Sequence, residues 1–295
     1  MGVSLTDCYW FKDEQSQLNW SKVNLHTNGF GEDFVTTVLF NQQLPNIKFD
    51  SPDYTTDGLL TKAWMYIDDV PSLVKFGELG PNAVGRNLLS ANEVAVGRIA
   101  ALMGIDHTGY YPVKLDGTAQ VACTCPCFVQ NDSVEFVNAL QIMKDLKCDR
   151  MGLYHYFCSV AQESVNRMIF FDHIIHNNDR HEKNFGVLRD ADNLQTIEMA
   201  PLFDSGSCLG WNNDSSLTKP FADTRLEQLA LLERIPCDIP EPKDVRNLVR
   251  ETYEIFGIPE PVYEKACGDI EDSYHMLAKR FRQWMPERNE EDMEH

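Results

Sequence analysis

The chain has no uninterrupted run of about 18 apolar residues, so nothing in it reads as a membrane-spanning helix. Its first residues, Met1 to Cys8, lack the basic and apolar regions of a secretory signal. No Gly/Ser-rich or Pro-rich tract is long enough to be an interdomain linker, and no fixed-period repeat is visible. Basic residues are scarce: 26 Lys and Arg stand against 45 Asp and Glu, a net charge of −19. That balance argues against nonspecific nucleic-acid binding, which needs a cationic surface to displace counterions. It argues equally against docking on an anionic bilayer. Neither a Walker A motif nor a Gly-x-Gly-x-x-Gly loop occurs. The nine cysteines are odd in number and irregular in spacing, with one cluster at Cys123, Cys125 and Cys127. Zinc sites want Cys-x-x-Cys and a second pair elsewhere, so these read as reduced, partly buried thiols. A cytoplasmic protein with no membrane or nucleic-acid partner is the expectation.

What is present is an ordinary globular composition, 43% hydrophobic and 24% charged, so most of the chain should fold. At 295 residues it is long for one core and comfortable for two lobes. The expected division is an N-terminal lobe over 1–129, a helical lobe over 130–285, and a disordered acidic tail over 286–295. Thr61 to Ile67 and Ser72 to Phe76 read as strands joined by the turn Asp68-Asp69-Val70-Pro71. Ser90 to Met103 reads as a helix with Ser90 as N-cap and Gly104 as its stop. Tyr110 to Val113 and Ala119 to Phe128 read as further strands. A helix over an antiparallel sheet makes this an α+β lobe. Downstream, Tyr154 to Ile175 is apolar on nearly every face and reads as a central helix. Short strands are expected at Phe185 to Leu188 and Thr196 to Met199. Helices return at Thr224 to Arg234, Pro242 to Phe256 and Pro261 to Trp284.

The chemistry concentrates around the two short strands. Phosphoryl transfer needs metal ions on the phosphates, a carboxylate beside the attacking hydroxyl, and a cation steadying the nucleotide. Asp179 and Asn184 offer a carboxylate and an amide oxygen five residues apart in one loop. Asp204 follows the second strand. Upstream, Lys75 projects from an apolar strand. A strand lysine is ordinarily just exposed, but the downstream loops favour reading it as a phosphate contact.

The run Ile174-Ile175-His176-Asn177-Asn178-Asp179-Arg180-His181-Glu182-Lys183-Asn184-Phe185-Gly186 resembles the catalytic loop of HipA-like serine/threonine kinases. Ala200-Pro201-Leu202-Phe203-Asp204 resembles their Pro-x-x-Asp metal loop. The Asp-Arg-His core is also similar to that of phosphatidylinositol kinases. The resemblance implies a bilobal, protein-kinase-like α+β fold: an N-lobe antiparallel sheet with a helix, and a mainly helical C-lobe. It implies ATP and magnesium as cofactors, Asp179 as catalytic base, and Asn184 and Asp204 as magnesium ligands. Leu73-Val74-Lys75-Phe76-Gly77 resembles the nucleotide-binding lysine strand. Glu93 then stands as the helix partner of Lys75, or else as the closing residue of a Ser90-Ala91-Asn92-Glu93 capping box. Cys127 and Val129 fall where a hinge offers backbone groups to adenine. Ser51 to Gly58 falls where a phosphate-covering loop belongs, and equally fits a surface turn. Arg180 reads either as a phosphate contact or as a loop ion-pair partner, and His181 as a hydrogen-bonded brace of its loop.

The resemblance covers about Ser51 to Trp211 and includes no counterpart of the extra N-terminal subdomain of the longer HipA toxins. It implies a kinase acting on protein Ser/Thr hydroxyls, with autophosphorylation. A nucleotide-binding module without turnover, and a lipid kinase, are the rival readings.

Overall fold

The computed structural model describes residues 13–23, 61–76, 83–114, 121–129, 131–211 and 219–281. The expected phosphate-covering loop (51–58) and the expected acidic tail (286–295) lie outside them. A one-turn helix α1 (Trp20–Val23) precedes the first sheet.

That sheet has four antiparallel strands in the order β1-β2-β4-β3: β1 (Thr61–Ile67), β2 (Val70–Phe76), β3 (Tyr111–Lys114) and β4 (Val121–Pro126). The β1–β2 turn is tighter than the sequence suggests, because only Asp68 and Asp69 leave the strands. Both adopt positive φ, 50° and 64°. Two left-handed residues make a type I′ turn, whose twist matches that of the strands it joins. Val70 and Pro71 therefore belong to β2, and Pro71 accepts the Cys127 amide N–H at 2.8 Å.

Helix α2 (Ala83–Leu102) packs on this sheet. It starts about two turns before Ser90, correcting the expected N-cap. Leu88, Ala91 and Ala95 are all buried, so the helical apolar period already runs through Ser90. The stop is as expected. Gly104 has φ of 62°, and the Ile105 amide reaches the Ala100 carbonyl at 2.9 Å, a Schellman closure.

A second sheet, β5-β6-β7, comprises β5 (Val134–Asn138), β6 (Gly186–Asp190) and β7 (Thr196–Met199). Asn138 caps α3 (Ala139–Leu146) through its side chain. Asp149 caps α4 (Arg150–Ile174) in the same way. The latter breaks helical geometry at Ala161, and only its second half, from Val165 onward, is almost wholly buried. Helices α5 (Arg225–Ala230), α6 (Pro242–Phe256) and α7 (Glu260–Arg280) complete the C-terminal part. A capping box of Thr224 and Glu227 opens α5, and Gly257 at φ 64° closes α6. No described helix is long and apolar enough to cross a membrane.

Two contacts fix the parts that matter. Helix α2 is braced from the far side by α6, where Arg98 donates to Thr252 Oγ1 at 3.0 Å and pairs with Glu251. The β5–β6 pairing brings Gly186 against Asn138. A Cβ on Gly186 would lie 2.2 Å from the Val137 carbonyl oxygen and 2.6 Å from the Phe136 ring. Gly186→Ala should therefore cost roughly 1–3 kcal/mol of stability, the range for overpacking. A denaturant midpoint unchanged from the parent would contradict this register.

Candidate active site

Three elements converge on one ammonium group. Lys75, on β2, is 2% exposed. It pairs with Glu93 of α2, and with Asp204 of the loop after β7 at 2.6 Å. Its Nζ also donates to the Tyr110 hydroxyl at 3.3 Å and lies 4.9 Å from the centre of that ring. An ammonium buried this deeply needs such partners to stay charged. Burial alone would lower its pKa, but Asp204 and Glu93 overcome this and hold it well above the ordinary lysine value.

Glu93 is likewise buried, and burial raises its carboxyl pKa against the opposing pull of Lys75. Its second oxygen accepts the Ser205 amide N–H at 3.0 Å. With Ser90 inside the helix, the capping-box reading of Glu93 falls, and the pairing with Lys75 is the arrangement found.

Asp204 takes a left-handed backbone conformation, φ 53°. Asp tolerates this region better than most residues, and such conformations gather where a loop must aim a side chain. Its side chain remains 38% exposed. Burial raises its pKa, but Lys75, and then Lys62, more than reverse this, leaving it fully ionised. Lys62 lies directly across from Lys75 in the β1–β2 register, so the two share one face. Gly206 lets this loop approach α2, since a Cβ there would sit 2.9 Å from the Leu89 carbonyl oxygen.

The loop from Ile175 to Phe185 carries Asp179 and Asn184. Asp179 donates its amide N–H to Asn177 Oδ1 at 3.0 Å, and its carbonyl accepts from Asn184 Nδ2 at 3.1 Å. That second bond orients the Asn184 amide, leaving its oxygen as the end that can face a cation. His181 braces the loop as expected, accepting the Lys183 amide on Nδ1 at 3.2 Å. Asp179 is half-buried, and burial raises its pKa. His181 opposes the shift and the Asp204 charge adds to it.

Arg180 is neither a surface ion pair nor open to a ligand. It is fully buried, and it bridges Asp172 of α4, the carbonyls of Asn184 and Phe203, and the Ser205 hydroxyl. The loop carrying Asp179 and the loop carrying Asp204 are therefore tied through one guanidinium.

Cys127 and Val129 are buried beside Trp64, Phe128, Phe136 and Leu188. The Cys127 N–H is committed to Pro71, and its thiol donates to the Val129 carbonyl at 3.0 Å. The Cys127 amide N–H is thus not free for an adenine in this arrangement. Cys123 and Cys125 sit under α2, where burial pushes the Cys125 thiol up to about 11.

Several site residues escape a reading of the sequence. Tyr110 reads there only as the start of a strand, yet its hydroxyl joins Lys75 to the Asp204 backbone, whose N–H it accepts at 3.2 Å. Asn92, fully buried, donates to the carbonyls of Gly206 and Cys208 and accepts from the Tyr253 hydroxyl. Sequence spacing does not reveal either: Asn92 merely adjoins Glu93, and Tyr110 lies 35 residues from Lys75.

Among the described residues no group of three or more His, Cys, Asp or Glu is arranged to hold a metal ion alone. Magnesium does not need one. It keeps several waters and takes one or two protein oxygens plus substrate phosphates. The Asp204 carboxylate and Asn184 amide oxygen fit that donor set.

No family model and no curated protein matches the chain. Solved structures do. The chain is similar to the proinflammatory kinase CtkA of Helicobacter pylori, at 16% identity and a TM-score of 0.51, over 75% of this chain and 95% of that one. It also aligns with the Shewanella oneidensis HipA chain solved with HipB and operator DNA. There the identity is 12% and the TM-score 0.48, over 95% of this chain and 70% of that one. At such identity a likeness speaks to fold alone, and the CtkA match carries it: this chain shares the α+β fold of that kinase.

Proposed function

We propose that the chain is an ATP- and magnesium-dependent kinase that transfers the γ-phosphate to Ser/Thr hydroxyls of proteins, its own among them. The observation that carries the reading is the meeting of Lys75, Glu93 and Asp204 from three separate elements at one buried point. A structural ion pair needs two partners. A lysine held between a helix carboxylate and a loop carboxylate that still opens to solvent is poised to engage phosphate.

The geometry supports the following roles. Lys75, steadied by Glu93, neutralises phosphate charge. Asp204 and Asn184 would hold magnesium, which supplies charge neutralisation at the phosphate oxygens. Asp179 accepts the proton of the acceptor hydroxyl as its oxygen bonds to the γ-phosphorus. The bond from that phosphorus to the β–γ bridging oxygen breaks, and ADP leaves. A protein acceptor fits the net charge of −19 better than an inositol lipid, whose anionic membrane like charge would repel.

A second reading, a nucleotide-binding module without turnover, draws on the direct Lys75–Asp204 pair, which occupies both groups. One experiment separates them. The pure chain is incubated with labelled ATP and with magnesium or a chelator, with protein and phosphatidylinositol acceptors in parallel. Label should appear on protein with magnesium only. Binding without transfer would favour the module, and label confined to lipid would overturn the acceptor. Magnesium-ATP should also raise the melting temperature, because a ligand of the native state stabilises it. Asp204→Ala should lose most of that rise. An undiminished rise would remove Asp204 from the metal site.

A further inference from the structure

The chain returns to the catalytic loop at a point that none of the motif positions includes. Lys219 is 5% exposed, although nothing in its sequence context marks it as buried. Its Nζ donates to the Asn177 carbonyl at 3.0 Å and lies 3.4 Å from Asn178 Oδ1, the two residues just before Asp179. Two residues further on, Phe221 is also buried. Its ring meets Phe185, the residue just after Asn184, edge to face at 5.6 Å, and Tyr154 of α4 at 5.3 Å. The Phe221 amide donates to buried Gln228 at 3.2 Å, fixing the segment to α5. Lys219-Pro220-Phe221 therefore grips the loop at both ends, with Asp179 and Asn184 between the two grips.

A buried ammonium is a poor choice for packing alone, since taking it out of water costs several kcal/mol. An apolar residue beside Phe221 would hold the segment with less penalty. The charge has a use in its surroundings. Burial lowers the Lys219 pKa to about 8, with Asp172 and Asp179 pulling it back up. Its use is geometric: the ammonium holds the Asn177 carbonyl two residues ahead of Asp179.

We propose that Lys219 is a positioning residue for Asp179: its ammonium fixes the Asn177-Asn178 turn from which the base projects. This rests on the kinase reading, and it adds a group from the far side of the metal loop to that site. The rival is a purely structural cation near the end of α4, where helix carbonyls attract positive charge. A structural role would lower stability and leave the chemistry of the folded fraction intact.

The test uses the full chain with Lys219→Met and Lys219→Arg. Four quantities are read: kcat and KM for ATP, the magnesium-ATP melting shift, and hydrogen exchange at the Asp179 and His181 amides. Those amides donate to Asn177 Oδ1 and to the Asp179 carbonyl, so they report the shape of the loop. Lys219→Met should cut kcat roughly tenfold or more, as misplacing a reacting group does. KM for ATP and the melting shift should stay within about twofold, exchange at both amides should rise, and arginine should restore much of kcat. Lys219→Gln is read in the same way should the methionine variant fail to fold. A kcat equal to the parent's, a loss entirely in KM, or unchanged exchange would overturn the proposal. If the parent itself transfers no phosphate, the kinase reading fails by itself, and the exchange measurement alone decides whether Lys219 holds the loop.

Discussion

Asp179→Ala should reduce phosphoryl transfer by roughly 10²–10⁴-fold, the usual contribution of a positioned base, while nucleotide binding stays near the parent value. The separation of effects is built into the loop. Asp179 contributes its main chain to local structure: its carbonyl accepts from Asn184, and its N–H donates to Asn177. Alanine keeps both bonds, so the Asn184 amide should stay oriented and the proposed magnesium ligands undisturbed. The lost carboxylate is half-buried, and burial raises its pKa, as suits a group that must take a proton. The readout is transfer rate against the magnesium-ATP melting shift in the same variant. Transfer at the parent rate would mean that Asp179 is not the base. Loss of the melting shift along with the activity would mean that the carboxylate serves binding.

The largest stability effect should come from Arg180. The side chain is fully buried and gives its donors to Asp172, two main-chain carbonyls and the Ser205 hydroxyl. Removing one partner of a buried ion pair costs about 3–5 kcal/mol, because the other charge is left without compensation. Arg180→Met should show a loss of that size in chemical denaturation. Arg180→Lys should recover only part of it, since a single ammonium cannot reproduce the planar fork that reaches four groups. Asp172→Asn should also be destabilising, for the carboxylate accepts from Asn177 Nδ2 at 2.8 Å as well as from Arg180. A methionine variant within about 1 kcal/mol of the parent, the size of an ordinary point substitution, would show that the loops hold each other without the guanidinium.

Features fixed by neighbours in the chain are readable in the amino-acid sequence alone. Strands β1 and β7 and helix α6 have the bounds that turn residues, Pro242 and Gly257 predict. The order of helix, Asp179 loop, hairpin and Asp204 loop is legible because spacing alone carries it. Features set by distant partners are not. Ser90 looks like a helix cap in sequence, and only burial against the rest of the chain shows it to be interior. Arg180 stands evenly between two readings in sequence, and neither includes burial, since its partners at Asp172, Phe203 and Ser205 lie 8 to 25 residues away. Lys219 lies 41 and 42 residues from the groups it holds, and a lysine in a polar stretch signals nothing by itself.

The Lys75–Asp204 ion pair bears on what the cleft will admit. Phosphates entering alone would draw Lys75 away and leave the Asp204 carboxylate facing added negative charge. A cation entering alone would draw Asp204 away and leave Lys75 beside a like charge. At separations near 3 Å and reduced dielectric either imbalance costs several kcal/mol. Entering together, cation and phosphates exchange one pair for two and leave no charge stranded. On the proposed kinase reading the cleft would therefore be a double lock, opening more readily to a metal–nucleotide complex than to either component alone.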